Sequence, residues 1–528
     1  MKLIRLLLGI LFITGFTQIS FADDFLNILE PKDGVVISNN VSFKWCPISV
    51  TGNYQLQVST DLQFNNIIFD ATTSATSINT VIAQNGLFYW RLRIIGTNFR
   101  SGWTDAAAIT IFNPRGTNLL LWYSAQTGVP AIGNLVPVWQ DQSSNANDAT
   151  QTTVSLQPIV QNGGSLINNK KVVRFDGADD FMSFTKVTTA RSVFLLVKHR
   201  TGTSGTYPAI MGDDANYDFH GFDGTTLFSS GDASGSIRGG QGYVNKVPTS
   251  PIAMKKYANY SILSLITTGN VTTSRITRDR QFGDRVWDGD FAEILLYNDT
   301  LNPQIRETTE GYILNQYAPP VAIRDTVIGN NFCTNVILTA PNNYTNYLWS
   351  TGATTSSISA PPNKKYTVTT KDVFGITSTT TFNPFPYRRL NNAKIYVCQG
   401  DTFKVDLNTP AGFTVLWQHN GATTPKLSIY QTGQYIVTVT DASGTCSVKD
   451  TINLTVDNPV LAPAPDGNDS LRVCLNEKLF LQTATAFDSI RWSTGSTSIF
   501  IPVVAPGNYT VYGRTTTGCV INKTFKVK

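Results

Sequence analysis

The residues of this chain best suited to chemistry are carboxylates, gathered in a few short stretches. Asp288, Asp290 and Glu293 share one of them, Trp-Asp-Gly-Asp-Phe-Ala-Glu. Cleavage of a glycosidic bond uses such a pair, one carboxyl as acid and the other as nucleophile or base. A second group is the loop from Gly212 to Gly224, where Asp213, Asp214, Asn216 and Asp223 are interleaved with Tyr217, Phe219 and Phe222. Carboxylates and amides bond sugar hydroxyls, carboxylates ligate Ca²⁺, and aromatic faces stack on sugar rings. Arg238 and Tyr243, on a second Gly-rich stretch, complete the expected ligand-binding surface. Two further oxygen-rich loops hold Asp141 and the Asp176–Asp179–Asp180 group. Asp141, Asp176 and Asp179 are the calcium candidates there, although no twelve-residue EF-hand spacing is present.

Other chemistries find little support. The histidines are His199, His220 and His419, and none stands in a Gly-x-Ser-x-Gly or His-Glu-x-x-His setting. The cysteines show no Cys-x-x-Cys spacing, which argues against a structural zinc. The net charge of +5 falls to +3 without Lys2 and Arg5, and no basic cluster is interleaved with aromatics. A nucleic-acid partner is therefore not expected.

The elements that must position these residues are strands. Lys2 and Arg5 precede an apolar run from Leu6 to Phe16, and Ser20-Phe21-Ala22 offers a cleavage point. Residues 1–22 thus read as a secretory signal, and no later run is long enough for a transmembrane segment. Few charges and abundant Thr, Ser, Asn, Gly and aromatics point to an all-β, multidomain chain. Val41–Trp45, Tyr54–Val58 and Phe88–Ile94 alternate with strand period over residues 25–113. A single helix is expected from Asn302, an N-cap followed by Pro303, to Tyr317, with Ile305, Tyr312, Ile313 and Tyr317 on its apolar stripe. After Pro320 the chain repeats. Trp349, Trp417 and Trp492 precede Tyr366, Tyr435 and Tyr509 by 17, 18 and 17 residues, by subtraction. The repeats fall at 322–384, 390–457 and 466–528, and tryptophan spacings of 68 and 75 suit small sandwiches better than a solenoid.

Several resemblances follow from these motifs. Leu-Leu-Leu-Trp122-Tyr, Val-Trp139-Gln-Asp141, Arg174-Phe-Asp176-Gly and Gly289-Asp-Phe-Ala-Glu293-Ile-Leu-Leu-Tyr297 make residues 115–318 resemble a LamG-like (concanavalin A-like) jelly roll. Residues 25–113 resemble a fibronectin type III domain with Trp45 in its core, which implies a spacer. The repeats resemble the Ig-like and PKD-like units of bacterial surface proteins. For them, one disulfide per unit is expected, from Cys398 to Cys446 and from Cys474 to Cys519. Ile376 occupies the corresponding place in the first repeat, so Cys333, like Cys46, is expected to be a buried thiol. The Asp288–Glu293 stretch looks superficially like a laminarinase-type catalytic strand, but the order of its acids departs from that pattern, which favours a structural role. The resemblance implies a secreted or surface protein that binds a glycan or an extracellular protein. A glycoside hydrolase is the alternative, and a non-binding structural stalk is the third reading.

Overall fold

The computed structural model describes residues 26–528 outside 27, 47–51, 97–98, 115–117, 201–205, 223, 281, 284, 319–330, 342, 388, 391, 459–469, 472–477, 484–486, 488, 516 and 518. The proposed leader, Asp223 and Cys474 lie outside the described residues. The chain is an all-β array of sandwiches.

In the first sandwich, alternation buries Val41, Phe43 and Trp45 on one strand and Phe88, Trp90, Leu92 and Ile94 on another. Phe43 and Trp90 meet across the two sheets with ring centroids 4.8 Å apart. The central region is organised around one eleven-stranded sheet. Its long strands, Met182–His199 and Ser261–Ile276, shift register between Ser183 and Ser192, where bulges bend them. Asp288–Tyr297 pairs with Lys171–Asp176, Met182–His199 and Leu119–Ser124, and all ten of its residues are buried.

One face of this sheet packs around Trp139, Phe175 and Phe291, and the other lies against the helix Pro303–Tyr317. Asn302 caps that helix by accepting from Ile305 N–H at 3.0 Å. Tyr312, Ile313 and Tyr317 are buried as their spacing predicts, but Ile305 is 40% exposed. In the first turns it is Arg306, Thr309 and Glu310 that face inward, held by polar bonds.

The three C-terminal repeats use their marker residues identically. Trp349, Trp417 and Trp492 are buried, and their indole N–H groups donate to Thr355 O, Thr424 O and Ser498 O at 2.8, 3.0 and 2.8 Å. The hydroxyls of Tyr366, Tyr435 and Tyr509 donate to Pro361 O, Gln431 O and Ala505 O at 2.8, 2.7 and 3.0 Å. Each pair of bonds ties a strand to the loop beside it.

The disulfide expectation is overturned. The bridges are Cys333–Cys446 and Cys398–Cys519, so each joins one repeat to the next. The reason lies in strand register. Cys398 ends the strand Ala393–Cys398 and stands beside Asp457, the last residue of Ser447–Asp457, whereas Cys446 immediately precedes that strand. Cys398 and Cys446 therefore sit at opposite ends of the same sheet, roughly 35 Å apart at about 3.3 Å per residue. Cys333 is bridged rather than a buried thiol, while Cys46 is buried in the first sandwich.

The domains also close on one another. Phe99–Ser101 of the first sandwich pairs antiparallel with Ala393–Cys398 of the second repeat, and Phe99 packs on Phe403 at 4.8 Å. The first repeat touches the central domain through an Asn343 Nδ2 to Asn168 Oδ1 bond of 3.0 Å and through Val373 and Phe374. Together with the Cys333–Cys446 bridge, these contacts fold the chain back on itself into a closed circuit of four domains. The first sandwich is built into that circuit on two sides, which a spacer strung between neighbours would not be.

Candidate functional site

A cavity of about 450 Å³ lies where the first sandwich meets the central domain. This size is within the range of small-ligand sites. From the first sandwich come the turn Ser38–Asn40 and the segment Phe112–Pro114. The central domain contributes Trp122 and Ser124 from Leu119–Ser124, Glu293 from Asp288–Tyr297, and Tyr312 and Gln316 from the helix. Phe112, Tyr312 and Trp122 form a run of rings with centroids 6.1 and 6.2 Å apart, the first pair tilted and the second edge-on.

Close approach of the two domains depends on one glycine. A Cβ on Gly311 would stand 2.8 Å from Val36 Cγ2, so a helical position that normally disfavours glycine is left without a side chain. That contact brings the wall formed by residues 38–40 up to the helix.

Among the described residues, Glu293 is the single carboxylate in the cavity lining, and no cationic residue joins it there. It is 1% exposed. Trp122 Nε1–H donates to its Oε1 at 2.6 Å, and Tyr317 Oη lies 2.6 Å from its Oε2. Burial pushes the Glu293 carboxyl up to about 7, against hydrogen bonds from Tyr317, Trp122 and Ser124 that lower it. Burial and the neighbouring Glu293 likewise raise the Tyr317 phenol.

The two other acids of that strand do not join it. Asp290 is fully buried and bound by Arg174 at 2.6 and 2.9 Å and by Tyr260 at 2.9 Å. Asp288 is buried beside Arg200 at 3.4 Å. Neither lines the cavity, so the paired carboxylates of a glycosidase are not assembled there.

In the Gly212–Gly224 loop, Asp213 and Asp214 serve the loop's own architecture. Asp213 is buried, accepts from Ala215 N, Asn216 N and Ser274 Oγ, and pairs with Lys186, which also holds Asp214. Desolvation acts to raise the Asp213 carboxyl, but these donors hold it well below the usual range. Tyr217 is 53% exposed beneath the Arg280 guanidinium. Arg238 donates to Ser230 O close by. Tyr243 is not brought to this loop: it packs with the helix-side cluster under Arg306, 3.7 Å from its ring centroid.

The calcium candidates also separate. Asp176, Asp179 and Asp180 bring ligand oxygens within 4.8 Å of one another and could hold a cation. Burial, then Asp176 and Asp179, raise the Asp180 carboxyl to about 7. Asp141 is not in that group. Its oxygens accept from Trp122 N, Ser143 N, Ser143 Oγ and Asn147 N, so it fixes the loop behind Trp122.

Sequence reasoning thus named Glu293 but missed Trp122, Tyr312 and the Asn39–Asn40 turn as its companions. Leu-Leu-Leu-Trp122 marked a strand, yet nothing local signals that it lies beside Asp288–Tyr297 with Ser124 opposite Glu293.

No protein-family model matches the sequence, and no curated protein does. Solved structures that resemble it include Ig-domain arrays. One is the N-terminal eight Ig domains of Down Syndrome Cell Adhesion Molecule isoform 1.30.30, at 10% identity and a TM-score of 0.20, covering 94% of this chain and 71% of that one. Another is extracellular domains 3–5 of Drosophila OTK, at 11% identity and a TM-score of 0.19, covering 39% and 94%. A third is the N-terminal four Ig domains of Dscam1 isoform 1.9, at 11% and 0.16, covering 44% and 84%. At these scores the overlap carries no argument about function.

Proposed function

We propose that this chain is an extracellular binding protein whose central, LamG-like domain and first sandwich together hold a neutral saccharide in the cavity around Glu293. The observation that carries the reading is the lining: a run of aromatic rings from Phe112 to Trp122 beside the Asn39, Asn40 and Gln316 amides, with one buried acid. Aromatic faces and amides are the groups that recognise a ring bearing hydroxyls, and among the described residues the lining carries no cation to pair with an anionic ligand. Two disulfides suit an oxidising compartment, and among the described residues no helix is long and apolar enough to cross a membrane.

A glycan array probed with the whole chain tests the proposal. Binding of uncharged glycans is expected, lost in Trp122→Ala and Tyr312→Ala and kept in Asp214→Asn. Loss in Asp214→Asn with retention in Trp122→Ala would return the site to the Gly212–Gly224 loop. A hydrolase is the second reading: burial raises the Glu293 carboxyl to about 7, in the range of a general acid, although the second carboxylate a glycosidase uses does not line the cavity. Turnover of a bound oligosaccharide, abolished in Glu293→Gln, would support it.

A further inference from the structure

The proton inventory around Tyr317 does not balance if Glu293 is ionised. Tyr317 Oη stands 2.7 Å from Ala292 O and 2.6 Å from Glu293 Oε2, both hydrogen-bond distances between oxygens. A phenol has one proton to donate, and a carbonyl and a carboxylate have none. Ser124 and Gln126 also bond the Tyr317 hydroxyl from their side chains, but they do not remove the conflict: with an ionised Glu293, one of the two contacts would press lone pairs together. Both are satisfied when Glu293 Oε2 carries a proton and donates it to Tyr317 Oη, while Tyr317 donates to Ala292 O. Oε1, then the carbonyl oxygen of a neutral acid, accepts from Trp122 Nε1–H.

Among the described residues, the groups facing Glu293 offer no countercharge. From the helix come Tyr312 and Tyr317, from its own strand Tyr297, and from Leu119–Ser124 the indole of Trp122 and the hydroxyl of Ser124. Of the cations on the packed elements, Arg174 is held by Asp290, and Arg306 by Glu307 and Glu310. An ionised Glu293 would depend on water in the cavity for solvation. A ligand filling the cavity removes that water.

We infer that the saccharide site is proton-gated, with neutral Glu293 the form that binds and ionised Glu293 the form that releases. This rests on the binding reading above. By linkage, a ligand that can occupy only the neutral form holds the proton on, and the proton holds the ligand. Once pH exceeds the point at which free Glu293 ionises, apparent affinity should fall about tenfold per pH unit.

The experiment has two arms on the whole protein. Isotope-edited infrared difference spectra, wild type minus Glu293→Gln, read the protonated carboxyl directly from pH 5 to 9. Calorimetric titration with neutral oligosaccharides of glucose, xylose and mannose reads affinity over the same range. The expected results are a protonated-carboxyl band persisting to near-neutral pH, an affinity that falls about tenfold per unit above that point, and a flat profile in Glu293→Gln. A carboxylate band already at pH 5, or a wild-type affinity independent of pH, would overturn the gate. If no oligosaccharide binds at any pH, the binding reading fails and the gate with it. In that case the infrared arm alone still decides where the proton sits.

Discussion

The staggered bridges make a sharp prediction about two cysteines. If disulfides lay within the second repeat, Cys398→Ser and Cys446→Ser would each remove the same bond. With Cys333–Cys446 and Cys398–Cys519, they remove different bonds. The native separations are 113 and 121 residues. In the chain-entropy model, each such bridge contributes about 5 kcal/mol, so the double variant should lose about 10 kcal/mol. A Cys398–Cys446 bond would close 48 residues (446 minus 398). It would contribute about 4 kcal/mol, lost once whether one cysteine or both are replaced. Because a chain of several domains does not unfold in one step, the comparison is made on the midpoint of the C-terminal transition across all four proteins. Non-reducing proteolysis with mass measurement supplies the covalent readout. The Cys333 and Cys446 peptides should stay joined in Cys398→Ser and separate in Cys446→Ser. A double variant no less stable than either single, with a peptide joining Cys398 to Cys446, would refute the pairing and the register argument beneath it.

Three further outcomes are expected. Glu293, whose ordinary value is 4.5, stands at about 7 in the fold, so the native state keeps a proton that the unfolded chain has lost. Its stabilising contribution is complete below about pH 4.5, declines as pH rises and is gone above about 7, a total of about 3 kcal/mol. Between pH 5 and pH 8, denaturant unfolding should show wild type losing about 2.5 kcal/mol more than Glu293→Gln, whereas parallel pH dependences would contradict the assignment. Gly311→Val places a branched side chain where even a Cβ lies 2.8 Å from Val36 Cγ2, and should wedge the first sandwich off the helix. A cost of about 1–3 kcal/mol and loss of saccharide binding are expected, read by thermal melting and calorimetry. Phe99→Asp puts a charge against Phe403 and breaks the strand pairing that closes the circuit. Small-angle scattering should then report a larger radius of gyration, with the disulfides intact.

Much of this architecture is legible in the sequence because the signals for it are local. Strand alternation around Phe43, Trp45, Trp90 and Leu92 predicts their burial, and the Asn302–Pro303 cap places the helix correctly. The Trp-to-Tyr spacing of the repeats survives because both residues serve the same bonds in each unit. What the sequence concealed depends on distant segments meeting. Asn39, Trp122 and Glu293 line one cavity although they are far apart in the chain. The Gly212–Gly224 loop misled for the converse reason. Clustered acids on a loop look available, but backbone amides and Lys186 already satisfy Asp213.

The cysteine misassignment exposes a simple rule of assembly. In each repeat the hairpin before the last strand meets the preceding domain, and the position occupied by Ile376, Cys446 and Cys519 lies on it. In the first repeat, Ile376 packs with Val373 and Phe374 into the apolar cluster around the central helix. In the second, Cys446 is bonded to Cys333, and Asp441 accepts from Phe332 N at 2.9 Å. In the third, Cys519 is bonded to Cys398, and Thr515 donates to Asp457 at 2.7 Å. The same hairpin thus docks three times, and the residue at one position matches the surface it meets: an aliphatic side chain against an apolar domain, a thiol against a repeat that offers a thiol. Ile376 is therefore not a cysteine lost from a within-unit pair. It is the residue suited to a repeat whose preceding neighbour is the helix-side cluster of a different kind of domain, and it sets the place in the array where apolar docking gives way to covalent linkage.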